Sequence, residues 1–180
     1  EGKTTLFKCI HSLTDFKGTV SYMGSSIRHN EIAYCPTEIV MYDDLTASEF
    51  SDFYKELLSI KKSIHNLLFD VPQDKLIKEF STGMKKKSYL NAILQKKYSI
   101  YIFDEPFNGL DLESNYLLMN YIKEIAKDSI VFISSHILEI LYKDCDSIFL
   151  INNTKIKKFE RHQFLEIEEE LFLNKTIKNI

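Results

Sequence analysis

Residues 98–111 read "YSIYIFDEPFNGLD". The stretch opens with a short apolar run, Ser99 to Phe103, of the kind that forms a strand buried on both faces of a parallel sheet. It ends in two adjacent carboxylates, Asp104 and Glu105, which sets them at the carboxyl edge of that sheet, where α/β proteins bind ligands. Downstream, "LESNYLLMNYIKEIAKD" (112–128) repeats apolar residues with helical spacing at Leu117, Leu118, Tyr121, Ile122 and Ile125. "SIVFI" (129–133) is a second apolar run that reads as a strand buried on both faces. Strand, helix, strand is a βαβ unit, so the fold class is α/β with a mostly parallel sheet flanked by helices.

The paired carboxylates need a partner for chemistry, and the amino end supplies one. "EGKTTLFKCI" (1–10) contains Gly2-Lys3-Thr4, the closing part of the phosphate-loop pattern G-x-x-x-x-G-K-[ST]. Apolar residues at Leu6, Phe7, Ile10 and Leu13 fall on one helix face, so a helix begins right at Gly-Lys-Thr. Its free N–H groups and positive dipole end suit an anion. A helix start of this kind lies at the same sheet edge as Asp104, so Thr4 and Asp104 are candidates to hold Mg²⁺, with Glu105 orienting or deprotonating a water. Alone, Asp-Glu-Pro is an ordinary polar strand end before a turn; its pairing with Gly-Lys-Thr in one chain points to a site.

The remaining segments fit the same class. "TVSYMGSSIRHNEIAYCP" (19–36) reads as short strands broken by a Gly-Ser-Ser turn. Thr46 with Glu49 three residues on is a capping-box signature, opening a helical stretch that reaches to about Leu94. "SIFLINNTKIKKF" (147–159) has an Asn-Asn turn between two β-prone runs and predicts a hairpin, and the charged tail from Arg161 predicts one more helix. At 180 residues with 44% hydrophobic, the chain has the length of about one domain and enough apolar residues for a core. A net charge of -3 gives no general electrostatic basis for a nucleic-acid partner, so a phosphate must be held by local groups. Cys9, Cys35 and Cys145 are odd in number and far apart, which argues against a disulfide framework or a zinc site and fits a reducing cytosol. No apolar run has the length to cross a bilayer, and the first residues lack a signal-peptide layout.

Taken in order, "GKTT", "DDLTASEF", "FSTGMKKK", "IYIFDEPFNGLD" and "ISSH" resemble the ATP-binding subunit of an ABC transporter over nearly the whole chain. The resemblance implies a P-loop NTPase fold with an inserted helical subdomain at about 44–94. It implies ATP and Mg²⁺ as ligands: Gly2, Lys3, Thr4 and Thr5 on the phosphates, Thr4 and Asp104 on the metal, Glu105 as catalytic base and His136 as the switch histidine. Ser81, Thr82, Gly83 and Met84 match the signature motif, which in this family meets the ATP held by a second subunit, and Asp111 matches the D-loop. Beside these roles stand plainer ones: Ser81 as an N-cap, Asp111 as a helix-start charge, and Lys85, Lys86 and Lys87 as a mostly solvated face. The resemblance further implies a second ATP-binding subunit, a transmembrane permease as partner, and a place at the inner face of the membrane.

Three departures from the family pattern are visible. The glycines, strand and adenine-stacking aromatic expected ahead of Gly2 are not in the sequence, which reads as a fragment of a longer protein lacking its N-terminal strands. Thr82 stands where the signature motif has Gly, and Thr37 where the family has a metal-reaching Gln, with Glu38 beside it. These leave a second reading, a nucleotide-dependent interaction module with little or no hydrolysis. A soluble relative acting on ribosomes or DNA is disfavoured by the absence of a heptad run and of a basic patch.

Overall fold

The computed structural model describes residues 2–61, 67–152 and 154–176. By their contacts these divide into two compact units, one within Thr4–Ser134 and the other of described residues 2–3 with those from Ser135 onward, which are described separately.

The helix expected at Gly-Lys-Thr is α1 (Lys3–Ile10), which belongs to the larger unit from Thr4 onward. It is followed by a short antiparallel pair, β1 (Ser21–Tyr22) and β2 (Ser25–Ser26). Their turn falls on Met23 and Gly24, with φ of 50° and 78°, so Ser25 and Ser26 are strand and not turn. Two positive-φ residues give the turn a twist that suits flanking strands, and only Gly24 adopts it without a side-chain penalty.

The unit centres on three parallel strands in the order β3 (Ile32–Cys35), β4 (Ile100–Asp104) and β5 (Ile130–Ser134). Their register pairs Tyr34 with Ile102 and Asp104 with Ser134. Alternation along the strands sends Ile32, Tyr34, Ile100 and Ile102 to one face, where they pack with Phe7 of α1. Every residue of β4 is buried, as the apolar run predicts. By contrast β5 is exposed or half-buried until Ser134. Among the described strands it pairs only with β4, and an apolar run does not reveal how many neighbours a strand has.

The expected capping box opens α2 (Ala47–Leu57): the Glu49 N–H donates to Thr46 Oγ1 at 3.2 Å and the Thr46 N–H to the Glu49 carboxylate at 2.8 Å. The helical stretch to Leu94 is interrupted. The part of it at 62–66 lies outside the described residues, 67–76 is irregular around Pro72, a 3-10 turn covers Ile77–Glu79, and α3 (Thr82–Ile93) follows. The side chain of Asn91, on α3, supports the irregular segment by taking the Phe69 N–H at 3.0 Å and donating to the Phe69 carbonyl at 2.8 Å. Phe50 is fully buried, and Tyr54 of α2 meets Tyr89 of α3 edge-on at 5.8 Å. Between β4 and β5 runs α4 (Leu112–Ile125), burying Leu118 and Ile122.

The smaller unit holds α5 (Leu138–Asp144), the antiparallel hairpin β6 (Ser147–Asn152) and β7 (Lys155–Glu160), and α6 (Phe164–Thr176). The predicted hairpin and tail helix are therefore present, although Asn153 of the Asn-Asn turn lies outside the described residues. Leu141, Ile148, Phe159, Phe164 and Ile167 form its own core.

Candidate functional site

The polar end of β4 carries the candidate chemistry. Asp104 is fully buried, and both of its oxygens are engaged. The Thr4 hydroxyl donates to Oδ2 at 2.6 Å, and the Ser134 hydroxyl donates to Oδ1 at 2.5 Å. The parallel register places Ser134 opposite Asp104, and Thr4 sits in the first turn of α1, so three separate elements converge on one carboxylate. Ser134 Oγ also accepts the Glu105 N–H at 2.9 Å, which ties the second carboxylate residue into the same network. Buried polar groups need partners of this kind, since an unmet one costs the full desolvation penalty.

Glu105 is itself buried and has φ of 50°, in the left-handed region that an L residue enters only with strain. Its carbonyl accepts a hydrogen bond from Lys86 Nζ at 2.8 Å, and the same ammonium donates to the Asn108 carbonyl at 3.0 Å. Lys86 is 5% exposed, so the expected solvated face of three lysines fails at its middle member. Burial pushes the Lys86 ammonium below its usual range, opposed by the acidic groups of Cys35, Glu105 and Asp104. Burial pushes the neighbouring Cys35 thiol up to about 12, so it stays protonated and unreactive at neutral pH.

A second cluster forms where α3 starts. Ser81 is the N-cap, taking the Met84 N–H on Oγ at 3.3 Å, with Ser81 and Thr82 exposed. A Cβ on Gly83 would lie 2.7 Å from the Gly109 carbonyl oxygen, so helix and loop backbones approach as only glycine allows. Asp111 caps α4, its Oδ1 accepting the Ser114 N–H at 2.8 Å and its Oδ2 the Lys87 ammonium at 2.7 Å. The Lys87 hydrogen bond, then those from Ser114, hold Asp111 well below the usual carboxylate range. The plain roles given to Ser81 and Asp111 are thus both filled, and both side chains still face solvent.

The structure brings together Thr4, Asp104 and Glu105 in one network, and Ser81, Thr82, Gly83, Met84 and Asp111 around the start of α3. Thr5 is exposed on α1. Gly2, Lys3 and His136 fall in the other unit, where Gly2 has φ of 95° and His136 is exposed in the bend before α5. Thr37 and Glu38 are exposed after β3. Two residues escaped the sequence reading. Ser134 stands at the end of the second apolar run and within "ISSH", but the sequence reading gives it no role. Lys86 carried a clearer signal, because with Tyr89, Leu90 and Ile93 it completes the i, i+3, i+4, i+7 spacing of a buried helix face.

The donor set fits a hard divalent cation. Thr4 and Asp104 offer oxygen only, and among the described residues no group of three or more His, Cys, Asp or Glu forms a protein cage. Mg²⁺ is bound in this manner, by one or two protein oxygens with waters and substrate phosphates completing the shell.

Comparison with known proteins places these features in context. The model of the family described as "ABC transporter" matches residues 1–108. The uncharacterized ABC transporter ATP-binding protein YthP of Bacillus subtilis is 28% identical over 99% of this chain and 72% of its own length. The ABC-type transporter ATP-binding protein EcsA of the same organism is 28% identical over 87% of this chain and 70% of its own. A solved structure described as the ATP binding subunit of an ABC transporter superposes with a TM-score of 0.83 at 26% identity, covering 97% of this chain and 83% of that one. No helix among the described residues is long and apolar enough to cross a membrane.

Proposed function

This chain belongs to the ABC transporter family, and from that premise we propose that it binds and hydrolyses ATP to power solute movement through a transmembrane partner. The observation that carries the reading is the convergence of the Thr4 and Ser134 hydroxyls on the buried Asp104 carboxylate, with the Glu105 N–H held on the same Ser134 hydroxyl. Thr4 and Asp104 would hold Mg²⁺, which would supply positive charge to offset the negative charge of the phosphates. Glu105 orients the attacking water and takes its proton as the water oxygen bonds to the γ-phosphorus and the bond to ADP breaks. The roles of Gly2, Lys3 and Thr5 on the phosphates, and of His136 at the γ-phosphate, rest on the family resemblance. Ser81, Thr82, Gly83, Met84 and Asp111 face the nucleotide of a second ATP-binding subunit across a dimer, and the region at about 44–94 forms the helical subdomain that a permease engages. The chain then works at the inner face of the membrane.

The test is Glu105→Gln, assayed for ATP binding and phosphate release beside the wild type. Loss of turnover by at least about 100-fold with binding retained is expected for a removed general base. Turnover at the wild-type rate refutes the role. A second reading, nucleotide-dependent interaction without useful hydrolysis, is favoured by Thr82 in the exposed signature segment and by Thr37; wild-type protein that binds ATP and releases no phosphate selects it.

A further inference from the structure

We propose that Lys86 is a positioning residue for Glu105: it clamps the Glu105 carbonyl and so makes the placing of the catalytic carboxylate depend on helix α3. The proposal rests on the reading of Glu105 as the base. Three observations lead to it. Glu105 occupies a left-handed conformation, which persists only where the surroundings fix it. The peptide unit after Glu105 leads into Pro106 and has no N–H, so its carbonyl is the only polar handle by which that unit can be held. That carbonyl receives the Lys86 ammonium at 2.8 Å, supplemented by a long contact of 3.4 Å from the Asn108 N–H. On its other side Glu105 is held by the Ser134 hydroxyl, which accepts its N–H at 2.9 Å.

The clamp reaches α3 and through it the signature segment. Along the first two turns of that helix, Gly83 abuts the Gly109 carbonyl, Lys86 binds the carbonyls of Glu105 and Asn108, and Lys87 binds Asp111. The loop from Glu105 to Asp111 is therefore fastened to α3 at three places, and only the middle one touches the backbone of Glu105. A buried ammonium with two carbonyl acceptors is costly to build and strongly directional. Asp111 and Asp43 make ion pairs with Lys87 and Lys85 that sit nearer solvent, so the role belongs to Lys86 alone among the three lysines.

Phosphate release at saturating and limiting ATP, with thermal unfolding midpoints, is measured for wild type, Lys86→Met, Lys86→Arg and Glu105→Gln, and for the Lys86→Met/Glu105→Gln double variant. Lys86→Met is expected to lower kcat about tenfold or more with the KM for ATP within about twofold, because a misplaced base loses rate and not binding. Lys86→Arg, which keeps donors and charge, restores part of the rate. The double variant is no slower than Glu105→Gln, since residues acting as one unit are not additive. A folded Lys86→Met protein with wild-type kcat overturns the proposal, as does a double variant slower than Glu105→Gln by the full Lys86→Met factor. If Lys86→Met does not fold, Lys86→Gln takes its place. If the wild type releases no phosphate, the hydrolysis reading has failed by itself, and amide hydrogen exchange then decides the clamp. Faster exchange at 107–111 in Lys86→Met with α4 unchanged supports it, and exchange equal to wild type overturns it.

Discussion

The carboxyl edge of the β3–β4–β5 sheet and the surface between α2 and α3 hold contacts of nearly equal length in opposite surroundings. Thr4 reaches Asp104 at 2.6 Å in a network whose carboxylate is fully buried. Lys85 reaches Asp43 at 2.7 Å with that carboxylate 59% exposed, and Lys78 reaches Asp44 at 3.2 Å with the side chains 53% and 93% exposed. Distance does not rank these contacts. Water screens the surface pairs and competes for their charges, whereas the buried carboxylate has only the protein to satisfy it. The three consecutive lysines of α3 condense the same lesson: one salt-bridges at the rim, one is buried on carbonyls, and one holds a helix cap.

Three substitutions sharpen or break this contrast, beside the Glu105 and Lys86 variants above. The largest loss of stability is expected at the sheet. Phe103 is fully buried beside the site and stacks on Tyr101 at 6.2 Å. Phe103→Ala is expected to cost about 3–5 kcal/mol in denaturant unfolding; a cost near that of a surface change would mean that burial in β4 does not set its contribution. An intermediate effect is expected from Thr46→Ala, which removes the hydroxyl half of the capping box that opens α2, at about 1 kcal/mol by the same measurement. The smallest belongs to Lys85→Met, within about 0.5 kcal/mol of wild type. Its difference from wild type should shrink further in high salt, where surface pairs are screened. A Lys85→Met loss as large as that of Phe103→Ala would mean that burial is the wrong criterion.

What the sequence made legible was local. The capping box at Thr46 and Glu49, the caps at Ser81 and Asp111, and the strand at Ile100–Asp104 each announce themselves within a few residues, the caps by short-range hydrogen bonds and the strand by its continuous apolar run. The Thr4–Asp104 pairing was also legible, since a strand end and a helix start converge at one edge of an α/β sheet. What stayed hidden depends on register and on neighbours. Ser134 matters because it lies opposite Asp104 in β5, and the apolar run preceding it looks the same in a central strand and at an edge. Lys86 was misjudged because its charge outweighed its place on the apolar face of α3. The irregular segment around Pro72 depends on Asn91, which holds Phe69 from 22 residues downstream.

The parallel pairing of β3 with β4 also sets an order of events for the newborn chain. A ribosome releases β3 long before β4, and all of α2 and α3 emerges between them. Among the described strands β3 pairs only with β4, so that pairing waits for β4, and until then α3 cannot grip the loop after Glu105. Local helices have time to form, while the long-range strand pairing comes late. Asp104 closes its hydrogen bonds only after β5 has also been made, so an intact carboxylate network marks a chain in which the assembly of this unit is complete.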